Sequence, residues 1–210
     1  MTPDTIQTLF ENLSESIPNP TTELLHQNPF ELLIAVILSA QATDVSVNKV
    51  TPGLFAQYPT PQALAQAGVE AILKEIKTIG LAKTKAANIV KTCQILVDDH
   101  QGKIPHTRDA LEALAGVGRK TANVILNTAF GEPVIAVDTH VFRVANRTGL
   151  ASGKNPLEVE SELMKVVPNR WKKDAHHLLI LHGRYVCKAR KPDCAQCVIE
   201  AQCEFPEKEQ

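Results

Sequence analysis

The sequence predicts an all-α fold in which several short helices form a bundle of small layers, on three observations. Apolar residues recur at three- and four-residue spacing in segment after segment, and no long stretch alternates with the period of two that a half-buried strand needs. Capping residues, prolines and glycines punctuate those segments at helix lengths. The connections between them are short, as in helical bundles. With 210 residues, 44% hydrophobic and 21% charged, the chain can bury a sizeable core, which excludes wholesale disorder.

The elements follow in order. Phe30–Ala40 is the longest apolar run; it contains Glu31 and falls short of the about 20 residues that span a bilayer, so it reads as a buried helix and no membrane is expected as a partner. Thr43-Asp44 offers a cap for a helix starting near Val45, which Pro52 must end or kink. Pro61–Ala67 and Val69–Ile76 are short helices stopped near Gly80. Lys83–Asp98 is the clearest amphipathic helix, with Ala86, Ile89, Val90, Cys93 and Val97 on one face. Thr107 caps Arg108–Ala115, and Arg119–Phe130 follows after three residues. Asp138 caps a helix running to about Thr148, and Pro156–Val167 and Asp174–Val186 complete the set. Breaks in this pattern fall at Pro18–Pro20 and at Gly131-Glu132-Pro133.

Met1-Thr2-Pro3-Asp4 lacks the basic start and apolar run of a signal peptide, which points to the cytoplasm, where disulfides rarely persist. In that setting four thiols close together call for a metal centre. Cys187, Cys194, Cys197 and Cys203 are separated by gaps of six, two and five residues. One C-x2-C pair flanked by single cysteines is less typical of zinc, which favours two close pairs, and iron–sulfur clusters also take four thiolates from a compact run. Spacing alone leaves iron–sulfur, zinc, and a disulfide pair or unligated thiols open. Cys93 stands alone on the amphipathic helix and reads as a small core residue.

Gly116-Val117-Gly118 separates two helices, and Arg119-Lys120 opens the second. Glycines there admit positive φ and close approach of another backbone. The free N–H groups and positive dipole end of the second helix suit a phosphate. An ordinary tight turn with solvated basic residues fits the same letters. Lys120 adds a chemical option: a lysine is a nucleophile only as the neutral amine, and the helix start and Arg119 both disfavour its ammonium. Asp138 follows the apolar run Val134–Val137; it serves as an N-cap or as a carboxylate that holds developing positive charge and handles a proton.

Taken together, these pieces resemble the endonuclease III family of DNA-repair enzymes. The resemblance rests on Leu114-Ala115-Gly116-Val117-Gly118-Arg119-Lys120-Thr121-Ala122, Val137-Asp138-Thr139-His140 and the four-cysteine pattern. Leu38–Asp44, Thr78-Ile79-Gly80-Leu81 and Leu181-His182-Gly183-Arg184-Tyr185 match as well, in order from about residue 20 to 205. It implies a helix-hairpin-helix DNA glycosylase fold of two helical domains with a cleft between them and a carboxy-terminal iron–sulfur loop. The helix-hairpin-helix domain would span residues 21–132, and 1–20 together with 133–210 would form the cluster domain. The four cysteines would bind one 4Fe–4S cluster per chain. The implied activity is that of a bifunctional DNA glycosylase and abasic-site lyase, working as a monomer, that excises oxidised pyrimidines from duplex DNA in base excision repair. Lys120 would attack the sugar and form a Schiff base that permits β-elimination, with Asp138 assisting. Gln41 and Leu81 would enter the duplex and fill the space of the extruded nucleotide. Gly116, Val117, Gly118, Arg119, His140, Arg184, Lys188, Arg190 and Lys191 would complete the DNA contacts. Two departures from the family pattern stand out: Ala115 where proline is more usual, and Ala82 where a larger residue is common.

Two other readings use the same parts. An adenine-type monofunctional glycosylase shares hairpin, aspartate and cluster but lacks the lysine at position 120 and carries a further carboxy-terminal domain. A non-catalytic iron–sulfur DNA-binding module needs neither Lys120 nor Asp138. The presence of both residues favours the lyase. Formal net charge is −1, which by itself suggests no polyanionic partner, yet it divides unevenly. Residues 1–100 sum to −4 and 101–210 to +3, and the segment 165–191 alone carries +7. That local charge is what a DNA backbone would meet.

Overall fold

The computed structural model describes residues 1–208. Among the described residues ten α-helices and three short 3-10 turns form, and no strand. The helices are α1 (Pro3–Ser16), α2 (Pro29–Ser39), α3 (Asp44–Gln57), α4 (Pro61–Glu75), α5 (Ala82–His100), α6 (Arg108–Glu112), α7 (Arg119–Phe130), α8 (Thr139–Thr148), α9 (Pro156–Val166) and α10 (Lys172–Tyr185). None is long and apolar enough to cross a membrane among the described residues. Thr2, Asn28, Thr43, Thr60, Thr107, Asp138 and Asn155 each begin a helix by accepting a backbone N–H in its first turn. Proline opens α1, α2, α4 and α9, where its missing N–H leaves nothing unpaired.

The chain forms two compact units: Thr22–Phe130, and Met1–Thr21 together with the chain from Gly131 onward. In the Thr22–Phe130 unit, α2 is apolar on every side and every residue from Phe30 to Leu38 is buried, as such a helix must be. It packs against α3, α5 and α7, while α4 lies along α5. In the other unit α8, α9 and α10 share a core with α1, which contributes Ile6, Leu9, Phe10 and Leu13. Helix α8 and α10 approach closely at Gly183: a side-chain carbon there would lie 2.9 Å from Val144 and 3.1 Å from His140. Glycine is the residue that permits the contact.

Several elements differ from the sequence expectation. Helix α3 runs through Pro52 to Gln57, because Leu54 and Phe55 beyond the proline are buried and their packing outweighs the lost backbone bond. Helix α6 ends at Glu112, short of Ala115; Leu114 N–H turns back onto Leu111 C=O at 3.1 Å and closes a tight turn instead. The two short helices after Pro61 meet at Gly68, whose φ of 76° breaks the helical path between them. The buried stripe of α5 is Lys85, Ala86, Ile89, Thr92, Cys93 and Leu96, with Val90 and Val97 only half-buried. Cys93 is a core residue, and burial pushes its thiol up to about 12. Helix α1 has no counterpart in the sequence reading, although Thr2, Pro3 and the Ile6-Leu9-Phe10-Leu13 spacing all mark it.

Candidate functional site

The hairpin between α6 and α7 is built from the bottom by short bonds. Val117 N–H donates to Leu114 C=O at 3.2 Å, and Ala122 N–H to Gly118 C=O at 2.9 Å. The Thr92 hydroxyl on α5 donates to Ala115 C=O at 2.8 Å, fixing the turn to the body of the unit. Gly116 has φ 77°, and a side-chain carbon on it would meet the Asn88 amide at 2.8 Å, so the turn needs glycine on both counts. Val117 is buried beneath it, whereas Gly116, Gly118 and Arg119 are exposed and Lys120 is half-buried as the second residue of α7. Space around Gly118 is open to 4 Å, leaving the hairpin backbone accessible to a phosphate.

Gln41 and Leu81 also lie in the Thr22–Phe130 unit, at the end of α2 and the start of α5. Both are exposed, Leu81 to 58%. Both have left-handed backbone, with φ of 53° and 61°. Among the described residues only Gln101 and Lys191 share that feature outside glycine. Left-handed backbone costs a side-chain-bearing residue about 1–2 kcal/mol and persists where its surroundings hold it. Three of these four residues are ones proposed above for DNA contact, Gln41 and Leu81 from the family resemblance and Lys191 from the local charge.

In the other unit the segment before α8 is held from below. Ile135, Ala136 and Val137 are buried, and His176 on α10 donates from Nδ1 to Ala136 C=O at 2.8 Å. Asp138 emerges half-buried at the head of α8, where Oδ1 accepts Val141 N–H at 2.8 Å. The second carboxylate oxygen is not used by that cap. Half-buried His140 accepts at Nδ1 from Arg143 Nη2 at 3.2 Å, which places its ring proton on Nε2.

The cysteine loop follows α10. All five cysteines are free, so no disulfide forms. Among the described residues no three His, Cys, Asp or Glu side chains converge tightly enough to hold a single metal ion. The four thiols of Cys187, Cys194, Cys197 and Cys203 nevertheless sense one another. Burial pushes Cys197 up to about 11 and raises Cys203, and the neighbouring thiols of the set push both further in the same direction. Two of the sulfurs already accept from nitrogen donors, Cys187 from Arg147 Nη1 at 3.5 Å and Cys203 from the Phe205 N–H at 3.5 Å, and Cys197 Sγ lies 3.6 Å from His182 Nε2. Thiolate ligands of a metal centre take such second contacts, so the donor set suits a cluster of iron and sulfide.

Arg143 and Arg147, one turn apart on α8, were not singled out from sequence. Arg143 donates to Cys187 C=O at 3.1 Å and Gly183 C=O at 2.7 Å. Arg147 donates to Lys188 C=O at 2.8 Å and Ala189 C=O at 3.3 Å, and its guanidinium lies 4.8 Å from the centre of the Phe205 ring. They hold the strand of chain that carries Lys188, Arg190 and Lys191, all exposed, beside half-buried Arg184. The i, i+4 arginine pair behind a capping aspartate was the available signal.

Residues 34–169 match the family described as HhH-GPD superfamily base excision DNA repair protein. The chain is 61% identical over 200 residues to endonuclease III of Haemophilus influenzae and 62% identical to endonuclease III of Escherichia coli, covering 95% of each chain in both cases. Its fold superposes on a trapped endonuclease III–DNA covalent intermediate with a TM-score of 0.91 at 46% identity, over 97% of this chain and 96% of that one. A thermostable thymine-DNA glycosylase shares the fold at 24% identity, with a TM-score of 0.88. By sequence along nearly its whole length and by its helical fold, the chain belongs to the endonuclease III family within the HhH-GPD superfamily of base excision DNA repair proteins.

Proposed function

We infer that the chain is a bifunctional DNA glycosylase and abasic-site lyase of base excision repair, acting on duplex DNA with damaged pyrimidines or abasic sites, with Lys120 as its nucleophile. The observation that carries this reading is the likeness to endonuclease III over 95% of both chains, with a lysine at the head of α7.

In this reading the exposed hairpin backbone at Gly116, Gly118 and Arg119 holds a backbone phosphate, with Val117 shaping the turn from beneath, and Lys188, Arg190 and Lys191 with Arg184 hold others, so position is fixed without reading sequence. The damaged nucleotide leaves the stack, and Gln41 and Leu81 occupy the vacated space. Lys120, as the neutral amine, attacks C1′; the nitrogen–carbon bond forms as the bond to the base breaks, and the base departs with that electron pair and takes up a proton. Opening of the sugar ring leaves a protonated Schiff base on Lys120. Loss of a proton from C2′ then expels the 3′ phosphate by β-elimination, and water releases the lysine. Asp138 accepts the proton that frees the amine and stabilises positive charge on the sugar through the carboxylate oxygen not used as a cap.

Cys187, Cys194, Cys197 and Cys203 would hold one 4Fe–4S cluster. A bound cluster would tie the four thiolates together and so fix the shape of the basic loop between Cys187 and Cys194. In this reading the protein works as a monomer in the cytoplasm and associates with the nucleoid during repair.

The test is a duplex carrying one oxidised pyrimidine. The protein should release the base and cut the strand with a β-elimination end, and Lys120→Ala should abolish cutting. Base release without cutting by the unaltered protein would instead favour the monofunctional glycosylase. A purified protein with bound zinc and no visible absorption would remove the cluster.

A further inference from the structure

Lys85 is a lysine where the core of α5 calls for an apolar residue. It is 4% exposed, and burial lowers its pKa. Its ammonium donates to Leu38 C=O at 2.8 Å, and no carboxylate lies within ion-pair distance among the described residues. The position is electrostatically mixed: it lies in the first turn of its own helix, where a cation is disfavoured, and at the carboxy-terminal end of α2, where a cation is favoured. A hydrocarbon would avoid the desolvation cost of burying an amine. What it could not supply is the bond to Leu38.

That bond joins the end of α2, just before Gln41, to the start of α5, just after Leu81. The Lys85 backbone N–H donates to Leu81 C=O at 3.0 Å while its side chain reaches Leu38, three residues before Gln41. Two other carbonyls at the end of α2 are satisfied locally: Val36 by the Ser39 hydroxyl at 2.9 Å and Ser39 by Ala42 N–H at 3.0 Å. The second loop comes close from the other side, since a side-chain carbon on Gly80 would lie 3.9 Å from Gln41 C=O. Two left-handed residues thus stand on adjoining loops with one buried side chain between their supports.

We propose that Lys85 is a positioning residue which, by bonding Leu81 C=O through its backbone and Leu38 C=O through its amine, locks the Gln41 and Leu81 loops into one preformed wedge for opening the duplex. The proposal rests on the reading that Gln41 and Leu81 enter the DNA. Holding both residues in place beforehand removes the ordering cost that a flexible wedge would meet at the moment of insertion. A single-stranded substrate has no stack to open, so it makes no use of the wedge.

Lys85→Met keeps the volume and removes the donor; Lys85→Gln keeps a shorter donor. Single-turnover cleavage is measured on a duplex with one oxidised pyrimidine and on a single strand with one abasic site, beside Gln41→Ala and Leu81→Ala. The expected result is a duplex rate lower by about tenfold or more for Lys85→Met, a smaller loss for Lys85→Gln, and single-strand rates within about twofold of the unaltered protein. Gln41→Ala and Leu81→Ala should show the same duplex-selective loss. If those two are unimpaired on duplex DNA, the wedge reading fails and this proposal with it. If they are impaired while Lys85→Met matches the unaltered protein, or if Lys85→Met loses both activities equally, only the role of Lys85 is overturned. Should Lys85→Met not fold, hydrogen exchange on the unaltered protein decides. Ala42 and Lys85 amides protected like those of the core support a rigid wedge, and exchange as in open loops refutes it.

Discussion

Arg147→Met removes the guanidinium that holds the basic loop while keeping most of the stem that packs on α8. Two hydrogen bonds disappear, a short one to Lys188 C=O at 2.8 Å and a longer one to Ala189 C=O at 3.3 Å, together with the contact to Cys187 Sγ at 3.5 Å. A bond from a charged donor to a carbonyl contributes about 1.5–3 kcal/mol, and half-burial of Arg147 puts the short one at the low end and the longer one below it. Stacking on Phe205 adds about 0.5–1 kcal/mol. Together these give about 3 kcal/mol, or a fall in Tm of about 6–12 °C for a protein of this size. Arg147→Lys keeps the charge but cannot fork between two carbonyls, so about half the loss should remain. Thermal unfolding followed by circular dichroism measures both, and hydrogen exchange of residues 186–193 locates the effect. A Tm within about 1 °C of the unaltered protein for Arg147→Met would refute the reasoning, because three polar contacts and a stacked ring would then contribute nothing.

Asp138→Asn keeps an N-cap of equal quality and should change stability by less than about 0.5 kcal/mol, whereas Asp138→Ala should cost about 1 kcal/mol in urea titration. Both should lose base excision by about a hundredfold or more; excision intact in Asp138→Asn would reduce Asp138 to a cap. Lys191→Ala should weaken duplex binding regardless of sequence and lower the slope of log affinity against log salt by about 0.9, and an unchanged slope would take Lys191 off the phosphate backbone. Cys93 gives a pH effect of defined sign. Its folded thiol stays protonated up to about 12 against an ordinary 9.0, so its contribution is complete below pH 9 and declines above it. The difference in unfolding free energy between the unaltered protein and Cys93→Ala should shrink by about 1.4 kcal/mol per unit from pH 9 upward. A difference that stays flat between pH 8 and 10.5 contradicts the assigned burial.

Much of the fold was legible because helix signals here are local. Thr43, Thr107 and Asp138 cap helices where their side chains announce it, and proline at the first position marks α2, α4 and α9. Pro52 misled because its local cost is met by packing of Leu54 and Phe55, and packing partners distant in sequence leave no mark beside the proline. The hairpin and the cysteine run were legible as short motifs whose spacing carries the chemistry. Lys85 was not, because a lysine at helical spacing reads as a solvated face until the carbonyl of Leu38, 47 residues away, is seen against it. Arg143 and Arg147 were hidden for the same reason: their partners are main-chain carbonyls, and a carbonyl has no letter in the sequence. The left-handed backbone of Gln41, Leu81 and Lys191 is likewise invisible in composition, since none of the three is a residue that favours it.

The central claim is that a covalent bond forms between DNA and the nitrogen of Lys120. Incubation with a duplex containing one abasic site in the presence of borohydride reduces a Schiff base to a stable amine, and digestion followed by mass spectrometry locates the attachment. The account predicts a sugar-derived mass on the peptide containing Lys120 and no adduct in Lys120→Ala. An adduct of unchanged yield in that variant, or a mass on any other lysine or on the amino terminus, would contradict it.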